Sequence, residues 1–163
     1  MREGAGVTGG TSGIGRATAR GLKEAGDTVY ELARRAEGVE GLHHISADVT
    51  DQQAVNDAAA QIMEAEGHID VLVNNAGFGI SGAIEFTETA EAKALFDVNF
   101  FGMVNMNRAV VPLMRQAGRG RIVNLSSVAA PVPIPFQAYS SATTAAVTPY
   151  TLPLPNHPRP SAR

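Results

Sequence analysis

The sequence predicts an α/β fold, a doubly wound parallel sheet with helices on both faces. Apolar runs of strand length alternate with stretches of helical spacing along most of the chain. A glycine-rich segment, TGGTSGIG at residues 8–15, stands where a first strand would turn into a first helix. With 163 residues, of which 44% are hydrophobic, the chain is long enough to bury one core and hardly two.

The first half of the sheet is predicted between residues 2 and 66. Residues 2–7 hold few branched apolar side chains, so we expect the first strand to be weakly held. Apolar side chains at helical spacing predict a helix from Gly13 to Glu24, and Gly26 ends it. The second strand, the third strand and the second helix are expected at 28–33, 43–47 and 51–66.

The second half supplies two more strands. Ile69 to Val73 form one apolar run of strand length and Arg121 to Ser127 form another, with a long helical stretch from Ala90 to Gln116 between them. Right-handed crossovers place the strands in the order 3-2-1-4-5. A ligand is expected over the reversal between strands one and four.

The end of the chain is rich in proline, at positions 149, 153, 155, 158 and 160. Because each proline inside a helix costs about 3 kcal/mol, we expect no helix here. The expected organisation is a domain over residues 1–148 and a non-helical tail over 149–163. Such a tail is either an extended recognition segment or a helix disrupted by substitution.

Composition excludes several functional classes. The net charge of −3 and the scattered arginines argue against a nucleic-acid partner. No apolar run approaches the roughly 18 residues of a membrane span, and the first ten residues lack the apolar core of a signal peptide, so we expect a cytoplasmic protein without a membrane partner. Cysteine is absent and the four histidines do not cluster, so we expect no metal site.

Three glycines in the segment 8–15 have separate expected roles. Gly9 permits a tight turn, Gly13 leaves no Cβ between the backbone and a phosphate, and Gly15 lets the following helix pack closely. The N–H groups at the start of that helix would then point at a pyrophosphate. Clusters of Gly, Thr and Ser also form ordinary loops, so this segment alone leaves both interpretations open.

Five ordered motifs together resemble the short-chain dehydrogenase/reductase family. They are TGGTSGIG at 8–15, Asp48-Val49 after the third strand, NNAG at 74–77, Asn99 within DVNFFG, and Ser127 within LSSV. The resemblance covers residues 7–148. It implies a Rossmann-like dinucleotide-binding domain and hydride transfer between NAD(P) and a small carbonyl or alcohol substrate.

The resemblance also implies a set of cofactor-binding residues. The residue at Asp48 holds the adenine in this family, Val49 packs beside it, and the backbone from Asn75 to Gly77 lines the adenosine side. The Asn75 amide has a second interpretation, as a tie between adjacent strands. The full expected set is Gly9, Ser12, Gly13, Ile14, Gly15, Arg34, Asp48, Val49, Asn75, Ala76 and Gly77.

The end of the second strand, YELARR at 30–35, bears on the choice of cofactor. An acidic residue here would bond the ribose 2′-hydroxyl of NAD, whereas an arginine would accept a 2′-phosphate. Ala33 takes the place expected for the acid, and Arg34 and Arg35 follow it, so NADP is favoured. Glu31 lies two residues earlier on the same strand face, and a shift in register would favour NAD instead.

The expected catalytic set is incomplete. The family uses an asparagine, a serine, a tyrosine and a lysine one helical turn after the tyrosine; Asn99 and Ser127 fill the first two places. Family spacing puts the tyrosine at Ser140 and the lysine at Thr144, and the chain's only lysines are Lys23 and Lys93. Without a nearby ammonium, a phenol keeps its ordinary acidity. The adjacent Tyr139 is the remaining candidate for the proton donor.

These residues leave several functional hypotheses open. The leading one is an NADP-type oxidoreductase of this family that is impaired or inactive. One alternative is an active reductase that uses Asn99, Ser127 and Tyr139, and another is a non-catalytic NADP-binding or interaction module. A third is a chain whose marginal sheet binds nothing stably.

The resemblance further implies a C-terminally truncated protein, because the family continues with two more strands and a substrate-covering segment. The fifth strand would then be a sheet edge, which invites association. One apolar stripe on the long predicted helix has two interpretations, as the contact surface of a homo-oligomer or as a stripe that faces the core. Its members are Ala109, Val110, Leu113 and Met114.

Overall fold

A computed structural model describes residues 3–132 and 134–152 of the chain. Five parallel strands form one sheet in the order β3-β2-β1-β4-β5, as predicted. The strands are β1 (Gly4–Thr8), β2 (Thr28–Ala33), β3 (His43–Ser46), β4 (Val71–Asn74) and β5 (Arg121–Asn124). The order reverses between β1 and β4, so the carboxyl ends of these two strands open onto a crevice.

Helix is present at the three predicted segments, 13–24, 51–66 and 90–116, and the described residues form five α-helices in all. They are α1 (Gly13–Glu24), α2 (Gln52–Glu66), α3 (Thr89–Phe96), α4 (Met103–Ala117) and α5 (Ala138–Thr151). A π-helical turn, Asp97–Gly102, joins α3 to α4, so the long helical stretch predicted there is continuous. Asp51 caps α2 by accepting from the backbone N–H groups of Gln53 and Ala54.

The first strand is well integrated in spite of its small residues. All five residues of β1 are buried, and the strand pairs with β2 along its whole length and with β4 at Ala5 to Val7. Backbone hydrogen bonds supply this pairing, so branched side chains are not needed for it. The expectation that β1 is weakly held concerns stability and stays a prediction.

Two apolar layers enclose the sheet. On one face, α1 contributes Ala19 to a cluster with side chains of β1, β2 and β4. On the other face, α2 and α4 pack over Leu32, Ile45 and Leu72. Val110 and Met114 are buried in this second layer, and Ala109 and Leu113 pack against it. The stripe considered for oligomer contacts is therefore a core stripe, and a homo-oligomer stays a prediction.

The boundary predicted for the tail is wrong at its start, because α5 continues through Pro149 to Thr151. Proline removes one N–H donor near the end of the helix, yet a donor three residues later is still used: Leu152 N–H bonds to Thr148 O at 3.2 Å. The ring of Tyr150 packs edge-on against Phe100 and supports this last turn. Residues 153–163 of the predicted tail lie outside the described residues.

The observed limits of two strands differ from the predicted limits by a few residues. The fourth strand begins at Val71 where Ile69 was expected, and the fifth ends at Asn124 where Ser127 was expected. The early end of β5 frees residues 125–127 to reach the crevice. Within the described residues, no helix combines the length and apolar character needed to cross a membrane.

Candidate functional site

Two adjoining cavities form one cleft at the carboxyl ends of the strands. The larger, of about 570 Å³, lies above β1, β4 and β5, and the smaller, of about 250 Å³, lies at the end of β2. They share the residues Gly9, Ser12, Ala76, Gly77 and Phe78. The cleft therefore lies at the strand reversal, where a ligand was expected.

The glycine segment has the geometry that its sequence predicted. Gly13 has φ +52°, and a Cβ added to it would meet nothing within 4 Å, so its backbone is open to the larger cavity. A Cβ on Gly15 would overlap Gly9 O and Asn75 Nδ2, so α1 could not approach the loop as closely. Ser12 makes no side-chain cap, and no acidic residue lies in the first turn of α1. The positive end of the helix is thus free to face an anion.

Thr8 fixes the other side of this loop, and the sequence interpretation had assigned it no separate role. Its Oγ1 accepts hydrogen bonds from Asn75 N and Ala76 N, each at 3.0 Å, and the residue is buried. The sequence signal for this role is a hydroxyl-bearing residue at the end of a predicted strand, directly before a glycine turn.

The Asn75 amide ties two adjacent strands together, which was one of its two expected roles, and the residue also lines the larger cavity. Its Nδ2 donates to Thr8 O at 3.0 Å, which ties the ends of β1 and β4 together. The side chain is therefore committed to the backbone, while its neighbours Ala76 and Gly77 expose backbone to the cleft.

The smaller cavity gathers the residues expected around the adenosine. It is lined by Arg34, Arg35, Asp48 and Val49, together with Thr11 and Ser12. Asp48 Oδ1 accepts from Thr50 N at 2.9 Å and from Thr50 Oγ1 at 2.8 Å, which orients the carboxylate.

Glu31 lies outside this cavity. It is fully buried, and its Oε1 accepts from Val39 N and lies 2.7 Å from His44 Nδ1. The alternative in which Glu31 holds a ribose hydroxyl therefore has no support from its position.

Asn99 lies in the π-helical turn and lines the larger cavity. Its Nδ2 donates to Phe78 O at 2.8 Å, and its Oδ1 accepts from Phe78 N at 3.0 Å. The same Nδ2 lies 3.3 Å from Thr143 Oγ1 on α5. The amide thus clamps the loop after β4 against α5, and the π turn, a feature frequent at functional sites, presents it there.

Ser127, Ser140 and Thr144 line the same cavity. Ser127 Oγ accepts from Ala129 N at 3.1 Å, and the residue is exposed. Ser140 Oγ bonds both backbone groups of Ile80, and Thr144 Oγ1 donates to Ser140 O at 2.9 Å. The two positions expected for tyrosine and lysine are therefore at the cleft, and they carry hydroxyls.

Tyr139 does not line the cavity. The residues of α5 that do so are Ser140, Thr144 and Val147, spaced by about one helical turn. Tyr139 precedes Ser140 and is turned by about 100° around the helix axis, so it projects from another side. The structure brings Asn99 and Ser127 together and leaves Tyr139 apart.

The larger cavity contains no charged side chain among the described residues that line it. Lys23 bonds to Gly41 O, and Lys93 is exposed on α3, so neither lysine reaches the cleft. The described residues also contain no group of His, Asp or Glu arranged to hold a metal ion. Among the described residues, the larger cavity is therefore lined by hydroxyl and amide groups and by no ammonium that could stabilise a phenolate.

An apolar groove of about 740 Å³ adjoins the cleft at Ala129. It runs between the segment 82–85, the loop before α5 and the first turns of α5, and Glu85 is its one charged lining residue in the described part of the chain. Ile84 and Phe136 at its rim are 62% and 68% exposed. A groove of this kind suits an apolar group attached to whatever reacts in the cleft.

Comparisons with known proteins agree with the fold. A family model described as short chain dehydrogenase matches residues 3–157. The 3-ketodihydrosphingosine reductase of Bacteroides thetaiotaomicron is 43% identical over 155 residues, which cover 93% of this chain and 58% of that protein. Dehydrogenase/reductase SDR family member 7B of Xenopus tropicalis is 35% identical over 153 residues, covering 83% of this chain and 50% of that protein. The chain thus spans between half and three fifths of these two relatives.

Solved structures show the same fold. A short-chain dehydrogenase from Streptomyces avermitilis is 39% identical with a TM-score of 0.86, covering 90% of this chain and 57% of that one. The aldohexose dehydrogenase of Thermoplasma acidophilum, in ligand-free form, is 33% identical with a TM-score of 0.88, covering 92% of this chain and 59% of that one.

Proposed function

This chain belongs to the short-chain dehydrogenase family, and we propose that it binds NADP in the cleft with an impaired site for carbonyl–alcohol hydride transfer. The family consists of oxidoreductases that generally use NAD or NADP. The observation that carries the proposal is that Ser140 and Thr144 line the cleft where the family resemblance implies tyrosine and lysine.

The residues of the cleft fit a dinucleotide. The open backbone at Gly13 and the uncapped start of α1 suit a pyrophosphate, and the smaller cavity suits an adenosine. Arg34 and Arg35 line that smaller cavity, whereas the acid that would favour NAD, Glu31, is buried elsewhere. Arginine binds phosphate through charge-assisted hydrogen bonds, and this supports NADP over NAD.

The catalytic impairment follows from proton chemistry. When bound, the nicotinamide supplies or accepts the hydride, and the protein must supply or accept the proton at the substrate oxygen. The Ser140 hydroxyl is a weak acid and is already engaged with both backbone groups of Ile80. Thr144 carries no charge. Loss of general acid–base assistance costs on the order of 100- to 10,000-fold in rate.

The groove beside the cleft supports a substrate or ligand with an apolar group. Its lining is apolar except for Glu85, and it meets the cleft near Ser127 at Ala129. One relative is named as a reductase of 3-ketodihydrosphingosine, a keto compound. A carbonyl or alcohol compound with an apolar substituent is the class we propose for this chain.

The same observation favours a second candidate, a non-catalytic NADP-binding module. Both proposals predict NADPH binding, and they differ in whether any turnover remains. The double variant Ser140→Tyr/Thr144→Lys restores the tyrosine and the lysine that the family resemblance implies. NADPH consumption by the wild type and by this variant is measured with ketones of increasing apolar chain length, and the comparison distinguishes both proposals from a fully active wild-type enzyme. Tyr139→Phe is the matched control because Tyr139 is also on α5 but does not line the cavity.

We expect the double variant to consume NADPH about 100-fold faster than the wild type or more, with the control unchanged. Wild-type turnover as fast as that of the double variant, and abolished in Tyr139→Phe, would show an active reductase and contradict the impairment. NADPH binding with no detectable wild-type turnover would favour the non-catalytic module.

A further inference from the structure

Glu31 is a fully buried carboxyl group on β2, just before the two arginines of the smaller cavity. Its Oε1 accepts from Val39 N at 3.1 Å and lies 2.7 Å from His44 Nδ1. Its Oε2 is buried and has no hydrogen-bond partner among the described residues. A carboxylate so enclosed is costly unless it shares a proton or pairs with a cation.

His44 connects Glu31 to the backbone that carries the arginines. It lies beside Glu31 in the register of β2 and β3, and its Nε2 is 2.9 Å from Arg35 O. A carbonyl oxygen only accepts, so Nε2 carries a hydrogen. The contact between Nδ1 and Oε1 then needs one more proton, placed either on the imidazole, which donates to a carboxylate, or on the carboxyl group, which donates to a neutral imidazole.

The imidazole is engaged at both nitrogens, through Nδ1 with Glu31 Oε1 and through Nε2 with Arg35 O. Its ring orientation is therefore fixed by the buried carboxyl group on one side and by the backbone at Arg35 on the other.

The pair holds the segment 34–39 at two points. His44 bonds the carbonyl of Arg35, and Glu31 bonds the amide of Val39. A Cβ on Gly38 would overlap His44 and would lie 2.7 Å from Glu31 Oε1, so the segment lies directly against the pair. Arg34 and Arg35 belong to this segment and line the smaller cavity. Movement of the pair would move both guanidinium groups.

We propose that Glu31 and His44 are positioning residues that hold Arg34 and Arg35 in place for the 2′-phosphate of NADP. The preference for NADP over NAD then depends on this pair, although neither side chain lines the smaller cavity. This inference rests on the proposed NADP binding and adds a residue pair to it.

The charged side chains on the neighbouring elements are exposed, and none of them makes a described side-chain hydrogen bond or ion pair with Glu31 or His44. They are Arg16, Arg20, Lys23 and Glu24 on α1, and Arg34, Arg35, Glu37 and Glu40 between β2 and β3. The adjacent His43 faces the opposite side of the sheet, where it stacks on Tyr30 with ring centroids 4.8 Å apart. His43 is therefore a matched control for His44.

The test is the ratio of NADPH affinity to NADH affinity, measured by fluorescence titration of the wild type and three variants at one pH. In His44→Ala, which removes both imidazole contacts, we expect the ratio to fall about tenfold, the value of about one charge-assisted hydrogen bond, while NADH affinity stays within about twofold of the wild type. Glu31→Ala should also lower the ratio, and His43→Ala should keep the wild-type ratio.

The wild-type ratio retained in both His44→Ala and Glu31→Ala would overturn the inference and leave the proposed NADP binding intact. An equal loss of affinity for NADPH and NADH in these variants would show a general structural role and would overturn it as well. Failure of the wild type to bind either nucleotide would overturn the proposed function and the positioning role together. Nitrogen-15 NMR of His44 tests the contact alone: it requires hydrogen on Nε2 with Nδ1 hydrogen-bonded, and a solvent-exposed imidazole signal would refute it.

Discussion

Ser140 Oγ accepts a hydrogen bond from Ile80 N at 2.9 Å and donates one to Ile80 O at 2.8 Å. One hydroxyl on α5 therefore satisfies both backbone groups of a residue in the loop after β4. This loop also carries Phe78, which Asn99 clamps from the π-helical turn. The serine that stands at the expected tyrosine position is thus part of the scaffold of the cleft.

Replacement of Ser140 by alanine should lower the free energy of unfolding by about 1 to 2 kcal/mol, because two partly buried backbone groups lose their partner. Urea unfolding followed by circular dichroism measures this change. Ser141→Ala is the matched control, since Ser141 Oγ is buried without a hydrogen-bond partner among the described residues. That change should be neutral within about 0.5 kcal/mol or stabilising. Equal losses in both variants would argue against a special role of the Ser140 contact.

Two glycines of the same loop should respond differently to alanine. A Cβ on Gly13 points into the open cleft, so Gly13→Ala should abolish or strongly weaken NADPH binding, at a stability cost of about 1 to 2 kcal/mol for its positive φ. A Cβ on Gly15 overlaps Gly9 O, so Gly15→Ala should mainly destabilise the fold. Parallel titration and thermal melting measure both effects. Unchanged NADPH affinity in a folded Gly13→Ala protein would argue against a pyrophosphate at this loop.

The arginines at the smaller cavity should decide the choice of nucleotide. Arg34→Ala and Arg35→Ala are each expected to leave NADH affinity unchanged, and the double variant should weaken NADPH by about 10- to 100-fold, the value of one to two charge-assisted hydrogen bonds. Arg20→Ala, an exposed change on α1, is the control for general charge. Calorimetric titration with both nucleotides distinguishes the cases. An equal loss for NADPH and NADH would place these side chains away from the 2′-phosphate.

Tyr30 should make the protein's stability fall in strong alkali. Burial, together with the hydrogen bond to Glu66 Oε1 at 2.8 Å, raises the pKa of Tyr30 to about 12. The unfolded phenol titrates near 10, so this contribution is fully present below about pH 10 and is lost as pH rises through about 12. Urea unfolding of the wild type and Tyr30→Phe between about pH 9 and about pH 12 should show a smaller loss in the variant. Parallel curves would mean that Tyr30 ionises as in the unfolded chain.

Much of the fold could be read from periodicity and glycine placement. The strand order, the limits of α1 and β2, and the close packing at Gly15 follow from local patterns, and the structure has them. The phosphate contact expected at Gly13 stays a prediction. The proline rule wrongly excluded a helix at residues 149–151, because one lost donor near a helix terminus is offset by neighbouring contacts such as Tyr150 with Phe100. Helix propensity is a property of a single residue, whereas tertiary packing stabilises the whole helical turn in which that residue lies.

The site was only partly predictable for a similar reason. Asn99, Ser127, Arg34 and Asp48 were expected at the cleft, and each lines it. Which side of α5 faces the cleft depends on the rotation of the helix, and this is why Tyr139 was a candidate that the structure sets apart. The burial of Glu31 against His44 depends on strand register between β2 and β3. Sequence order alone does not give these relationships.

The most direct test of this account is an equilibrium titration of the chain with NADPH and with NADH, following nucleotide fluorescence and melting temperature together, with a ketone then added to the NADPH complex. We predict saturable binding that raises the melting temperature, tighter for NADPH than for NADH, and slow or undetectable consumption of NADPH after the ketone is added. Absence of saturable binding, or equal affinity for the two nucleotides, would contradict the NADP site, and rapid ketone-dependent consumption would contradict the impairment.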